Sequence, residues 1–72
     1  MKENPLKKLG EKIRYYRQIQ GLTQENLAEI TGLHRTYIGG VERGERNISF
    51  LNLLRLTRAL GLSLSQIIDD IK

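Results

Sequence analysis

Apolar residues recur along the chain with helical spacing. Leu6, Leu9, Ile13 and Tyr16 lie three or four apart and form one stripe, while Lys7, Lys8, Lys12 and Arg14 spread over the other faces. No stretch alternates convincingly with period two, so strands are not expected. Gly21, Gly32, Gly44 and Gly61 each follow a helical pattern, where a residue with positive φ ends a helix. The pattern therefore predicts five helices joined by loops of a few residues, as in a compact helical bundle.

The first helix is predicted over about residues 5–20, with Asn4 as its cap and Pro5 at the first helical position. The second runs over about residues 24–31, capped by Thr23, with Leu27, Ala28 and Ile30 on its buried side. The third covers about residues 35–43, with Ile38 and Val41 facing inward. The fourth starts after Ser49 and is the most apolar, carrying Leu51, Leu53, Leu54, Leu56, Ala59 and Leu60. The fifth is short, about residues 64–70, and Ser63 and Gln66 have the spacing of a capping box.

Composition narrows the class. A chain of 72 residues makes one domain, residues 1–72, near the lower limit for a core that folds alone. There is no cysteine and a single histidine, His34, so disulfides, thiolate sites and a histidine metal cluster are excluded. No apolar run approaches the roughly 20 residues that span a bilayer, and MKENPLKKLGEK is too polar for a signal peptide. A soluble cytoplasmic protein is expected, with no membrane partner and no evident small-molecule ligand. The net charge of +4 fits either an ordinary basic surface or a polyanion partner, usually nucleic acid. Glu25, Glu29, Glu42 and Glu45 are interspersed, which favours a specific basic face over a basic tail.

The chemistry concentrates in QENLAEITGLHRTYIGGVER, residues 24–43. Two short helices flank a tight turn containing a glycine. Ala28 sits where a second helix must cross closely, Gly32 reverses the chain, and Ile38 and Val41 pin the second helix to the core. These four positions describe a helix-turn-helix.

The same positions, with Gln24, carry a resemblance to the lambdoid phage repressor and Cro-like helix-turn-helix superfamily. GLTQENLAEITGL and IGGVERGER are similar to that family's typical segments, and the resemblance covers roughly residues 9–61. RTYIGGVERGERNIS followed by LNLLRLTRALG resembles the small controller proteins of bacterial restriction–modification systems. The resemblance implies an all-α five-helix fold and a dimeric transcription regulator without an effector domain. Its expected partner is a pseudo-palindromic double-stranded DNA operator, and it would regulate its own gene and an endonuclease gene. RNA polymerase is a further candidate partner, and the bacterial cytoplasm and nucleoid the expected location.

The resemblance also implies roles for particular residues. The N-terminal end of the third helix would enter the major groove, bringing His34, Arg35 and Thr36 nearest the base edges. Arg35 is the best direct reader, because a guanidinium bridges guanine O6 and N7. The competing reading of Arg35 is a solvated surface arginine, and His34 either touches DNA or simply ends the turn. Gln24, Tyr37, Arg43, Arg46, Asn47 and Ser49 are the expected backbone contacts; partial core packing competes for Tyr37, and an ordinary polar loop competes for the residues after the third helix. Arg17 and Glu42 match an arginine–glutamate pair of phage repressors and are expected to be architectural.

Two further expectations concern surfaces. Gly39 and Gly40 are expected on or near the exposed side of the third helix, letting it approach DNA closely, with packing against a dimer partner as the rival. Ile67, Ile68 and Ile71 together are more than one short helix can hide, so Leu62, Leu64, Ile67, Ile68 and Ile71 are expected at a homodimer interface in the C-terminal part, with ordinary core packing as the competing reading for each. A phage-type repressor, or an antitoxin that binds a protein partner, is the alternative function. An enzyme is not expected: there is no cysteine, only one histidine, no phosphate-cradling glycine loop and no paired-carboxylate cleft signature, so no catalytic residue or cofactor is assigned.

Overall fold

The computed structural model describes residues 4–69 and 71. Five helices follow in order: α1 Pro5–Ile19, α2 Gln24–Thr31, α3 Arg35–Glu42, α4 Phe50–Ala59 and α5 Leu64–Ile68. Among the described residues there are no strands.

Each start has a side-chain acceptor for an otherwise orphaned N–H. Asn4 Oδ1 accepts from the Leu6 N–H at 3.0 Å, with Pro5 at the first turn. Thr23 and Asn26 cap each other reciprocally, as do Ser63 and Gln66. Ser49 Oγ accepts from the Asn52 N–H at 3.1 Å and starts α4. The four glycines predicted as terminators all have positive φ. Helices α1 and α3 each end one residue earlier than expected, and α5 ends at Ile68. The expected extension of α5 to residue 70 falls partly outside the described residues.

One core holds the helices together. Leu9 and Ile13 of α1, Leu27 of α2, Ile38 and Val41 of α3, Leu56 and Leu60 at the end of α4, and Ile67 of α5 are all buried. Helix α1 packs on α3 and α5, while α2 packs on α3 and α4. Gly10 makes the first of these contacts possible. A Cβ at Gly10 would collide with the carbonyl oxygen of Val41, so α1 meets the end of α3 backbone to backbone. At the other end of α1, Gln20 Nε2 donates to the Leu60 carbonyl at 2.6 Å, tying α1 to the end of α4.

One expected core assignment needs correction. Ile30 is 57% exposed. The inward side of α2 runs through Gln24, Leu27, Ala28 and Thr31, and Ile30 falls about 100° away at 3.6 residues per turn. Leu51 is 70% exposed, because it lies on the side of α4 opposite Leu56. Of the two readings of Ile67, dimer interface and core packing, the second holds, because the single chain encloses the side chain fully and leaves it no surface to offer. The short α5 uses Ile67 to close the core and leaves Ile68, one residue on, turned outward at 41% exposure.

Candidate nucleic-acid interface

Helices α2 and α3 form the helix-turn-helix. The turn is built by local hydrogen bonds. Gly32, with φ 77°, sends its N–H to the Ala28 carbonyl at 2.8 Å. Thr31 Oγ1 donates to the Leu27 carbonyl at 2.8 Å and accepts from the Leu33 N–H at 3.2 Å. His34 then caps α3: its Nδ1 accepts from the Thr36 N–H at 3.1 Å. That bond leaves Nε2 as the protonated nitrogen of the neutral ring. Ending the turn and donating outward are thus compatible roles for His34.

Ile38 and Val41 anchor α3 from inside, and its first turn projects His34, Arg35 and Thr36 into solvent. Arg35 Nη1 lies 3.9 Å from Glu25 Oε2, with both side chains largely exposed. Arg43 Nε lies 3.1 Å from Glu45 Oε1, also at the surface. Exposed pairs of this kind contribute only ~0–1 kcal/mol, so both arginines are released to another anion at little cost. Glu25 and Glu29 line an open groove beside His34 and Arg35. Negative charge thus lies on that flank, and Arg43 and Arg46 carry positive charge past the other end of α3.

The far end of α3 is locked by a buried pair. Arg17 donates from Nε to Glu42 Oε2 at 2.6 Å and from Nη2 to Oε1 at 2.8 Å. Its third nitrogen donates to the Leu22 carbonyl at 2.8 Å. The hydrogen bond to Glu42 holds the Arg17 guanidinium above the ordinary arginine range, against burial, which acts the other way. Arg14 adds a looser contact, its Nε 3.8 Å from Glu42 Oε1. No buried side-chain nitrogen or oxygen among the described residues lacks a partner.

Gln24 is drawn into the same cluster. Its Nε2 donates to Glu42 Oε1 at 3.0 Å, so that donor is not free for phosphate in this conformation. Sequence reasoning assigned Gln24 outward and missed this bond, because its two partners are 18 residues apart and meet only when α2 crosses α3.

The expectation for Gly39 and Gly40 also needs correction. Both are buried rather than open. Gly39 lies under the ends of the Arg43 and Gln24 side chains, and Gly40 lies under Arg46. The missing side chains make room for the protein's own residues, which fold back over α3. Arg46 is exposed, and its guanidinium carbon lies 5.9 Å from the centre of the Tyr37 ring. The Tyr37 hydroxyl accepts from Asn52 Nδ2 at 3.2 Å. Asn52 was not singled out from sequence, and nothing local marks it there. Asn47 and Ser49 are exposed in the loop before α4, Ser49 with its oxygen engaged as the cap.

Leu62, Leu64 and Ile71 are partly buried, and with Ile68 they leave apolar area near the C-terminal end. Among the described residues no group of three or more His, Asp or Glu side chains could hold a metal ion, and no helix is long and apolar enough to cross a membrane.

Two short helices, α2 and α3, joined by the tight turn at Gly32 and packed on a shared core, make a helix-turn-helix domain. The family model described as "Helix-turn-helix" matches residues 13–67, and the chain belongs to that family. Within it the chain groups with control proteins. It is 53% identical over 60 residues to control protein C.SmaI of Serratia marcescens, covering 83% of this chain and 71% of that one. It is 41% identical over 61 residues to control protein C.BamHI of Bacillus amyloliquefaciens, covering 83% and 75%. The restriction-modification controller protein C.AhdI from Aeromonas hydrophila superposes with a TM-score of 0.85 at 46% identity, over 88% of this chain and 96% of that one. The controller protein C.Esp1396I, solved as a tetramer in complex with its natural 35 base-pair operator, also gives 0.85, at 33% identity over 97% and 92%.

Proposed function

We propose that this protein is a restriction–modification controller: a transcription regulator that binds a pseudo-palindromic operator in double-stranded DNA as a homodimer. The observation that carries the reading is the exposed Arg35–Thr36 end of α3, held in place by Ile38, Val41 and the Arg17–Glu42 pair. A helix so presented enters the major groove by its first turn. Arg35 reads a guanine, Thr36 contacts a neighbouring base, and the Nε2–H of His34 is a third donor at that end. Tyr37, Arg43, Arg46, Asn47 and Ser49 grip the phosphate backbone on the flank away from Glu25 and Glu29. Gln24 joins them only if its carboxamide turns away from Glu42.

Leu62, Leu64, Ile68 and Ile71 form the dimer contact. Ile67 is omitted because the chain itself buries it. Two recognition helices about 34–36 Å apart then reach successive major grooves on one face of the duplex. The tetramer–operator complex of C.Esp1396I supports this assembly by analogy. The protein acts in the bacterial cytoplasm, on the nucleoid, at its own promoter and that of an endonuclease gene. RNA polymerase is the further partner that activation requires.

Footprinting across the region upstream of its own gene tests the reading. The expected result is a protected site with two-fold symmetry and half-site centres about 10–10.5 base pairs, or a multiple of that, apart. No protected site anywhere in that region sinks it.

A further inference from the structure

Arg46 belongs to the loop between α3 and α4, yet it is packed rather than free. Its Cγ lies 2.8 Å from where a Cβ on Gly40 would be, so the side chain rests on the glycine's bare backbone. Its guanidinium faces the Tyr37 ring at 5.9 Å. The ring is held in turn by the bond from Asn52 Nδ2 to the Tyr37 hydroxyl, 3.2 Å long. Asn52 stands in the first turn of α4, and its own backbone N–H is secured by Ser49. One line of contacts therefore runs from α4 through Asn52 and Tyr37 to the guanidinium of Arg46, with Gly40 as its floor.

This arrangement has a consequence for binding. A long side chain on a loop loses rotamer freedom when it meets a phosphate, and the loss is worth about two- to tenfold in affinity. A side chain already confined between a glycine and an aromatic wall loses less. The attraction of Arg46 to the ring is electrostatic and survives at a partly exposed site. Asn52 donates to the hydroxyl and stops the ring from swinging away.

We propose that Asn52 and Gly40 are positioning residues for DNA binding: they hold the Tyr37 ring and leave the room that together preorganise Arg46. The proposal rests on the reading that Arg46 meets the DNA backbone. Neither residue needs to touch DNA itself. Asn52 works through Tyr37, and Gly40 works by having no side chain.

The test is a double-mutant cycle on the full-length protein, with the duplex protected in footprinting and a scrambled duplex of equal length as probes. Arg46→Ala is expected to weaken binding to both probes and to lower the salt slope by about one. Asn52→Ala is expected to weaken binding about two- to tenfold in the wild-type background and less than about twofold in the Arg46→Ala background. Gly40→Ala should melt at or above the wild-type temperature while binding more weakly, since alanine favours the helix but displaces Arg46. An Asn52→Ala effect of equal size in both backgrounds overturns the proposal, because Asn52 would then act through Tyr37's own DNA contact, on DNA directly or on the fold, and not through Arg46. So does an Asn52→Ala protein, or a Gly40→Ala protein, that binds like wild type. If Arg46→Ala leaves affinity and salt slope unchanged, Arg46 is no DNA contact, and the underlying reading fails together with the proposal.

Discussion

The Arg17 guanidinium and the Glu42 carboxylate, 25 residues apart in sequence, close on each other through two parallel hydrogen bonds inside the domain. The pair joins α1 to the last residue of α3, and Gln24 extends it to α2. A fork-to-fork pair fixes orientation as well as distance. The angle at which α3 leaves the core therefore depends on it. Glu42→Ala leaves a buried guanidinium unpaired, and urea unfolding should show a loss of ~3–5 kcal/mol. A loss under about 1 kcal/mol would mean the pair is solvated and does not hold α3.

The pair also has a pH signature. Its hydrogen bond raises the Arg17 value above that of an unfolded arginine. Stability from a raised value is fully present below the unfolded value and disappears only as pH climbs through the folded one. Both lie above the pH range in which proteins are ordinarily handled. The stability difference between wild type and Arg17→Met should thus be the same at about pH 7 and about pH 10. A difference that shrinks over that interval would contradict the assignment.

Two glycines in helices should respond oppositely to alanine. At Gly10 the new methyl meets the Val41 carbonyl, a backbone atom that cannot step aside. Overpacking of ~1–3 kcal/mol or more outweighs the ~1 kcal/mol that alanine adds to a helix, so Gly10→Ala should lower the melting temperature. At Gly39 the nearest atom is the end of the Arg43 side chain, at 3.2 Å, which can give way. Gly39→Ala should be neutral or stabilising by up to ~1 kcal/mol. The same sign at both positions in thermal melts would refute this.

Arg35 and Arg43 should separate base reading from backbone grip. Arg35→Ala is expected to cost ~1–3 kcal/mol on the operator and to relax selection at one base pair per half-site. Arg43→Ala should weaken every duplex alike and reduce the salt slope by about one. Competition binding with single-base operator variants at two salt concentrations distinguishes them. Identical profiles for the two variants would show that the docking orientation is wrong.

Adjacent isoleucines should fail differently. Ile68→Asp leaves the core alone and should shift sedimentation toward monomer while weakening operator binding. Ile67→Ala opens the core and should cost ~2–5 kcal/mol in unfolding experiments. A wild-type dimer that persists in Ile68→Asp would place the interface elsewhere.

Much of this protein is written locally. Asn4–Pro5, Thr23, Ser49 and Ser63 start helices because each supplies an acceptor within three residues of the N–H it satisfies. Gly32 turns the chain because only glycine takes positive φ at no steric cost. The order of five helices and the helix-turn-helix followed from such signals, as did the exposure of Arg35 at the start of α3. Where the reading of α2 failed, it assigned Ile30 inward by apolarity alone, and apolarity equally does not distinguish the exposed Leu51 of α4 from the buried Leu56. A helix of eight or ten residues has a buried side set by its neighbours. Only packing decided which leucine or isoleucine that side included. The same holds for Gly10, for the turn of Gln24 toward Glu42, and for the Asn52–Tyr37–Arg46 line. Each joins residues at least nine positions apart, through geometry that exists only once the helices have crossed. Sequence determined where the helices begin, where they end to within a residue or two, and which helix presents donors. Tertiary structure alone decided how those donors are held, because the restraining atoms belong to other helices or loops.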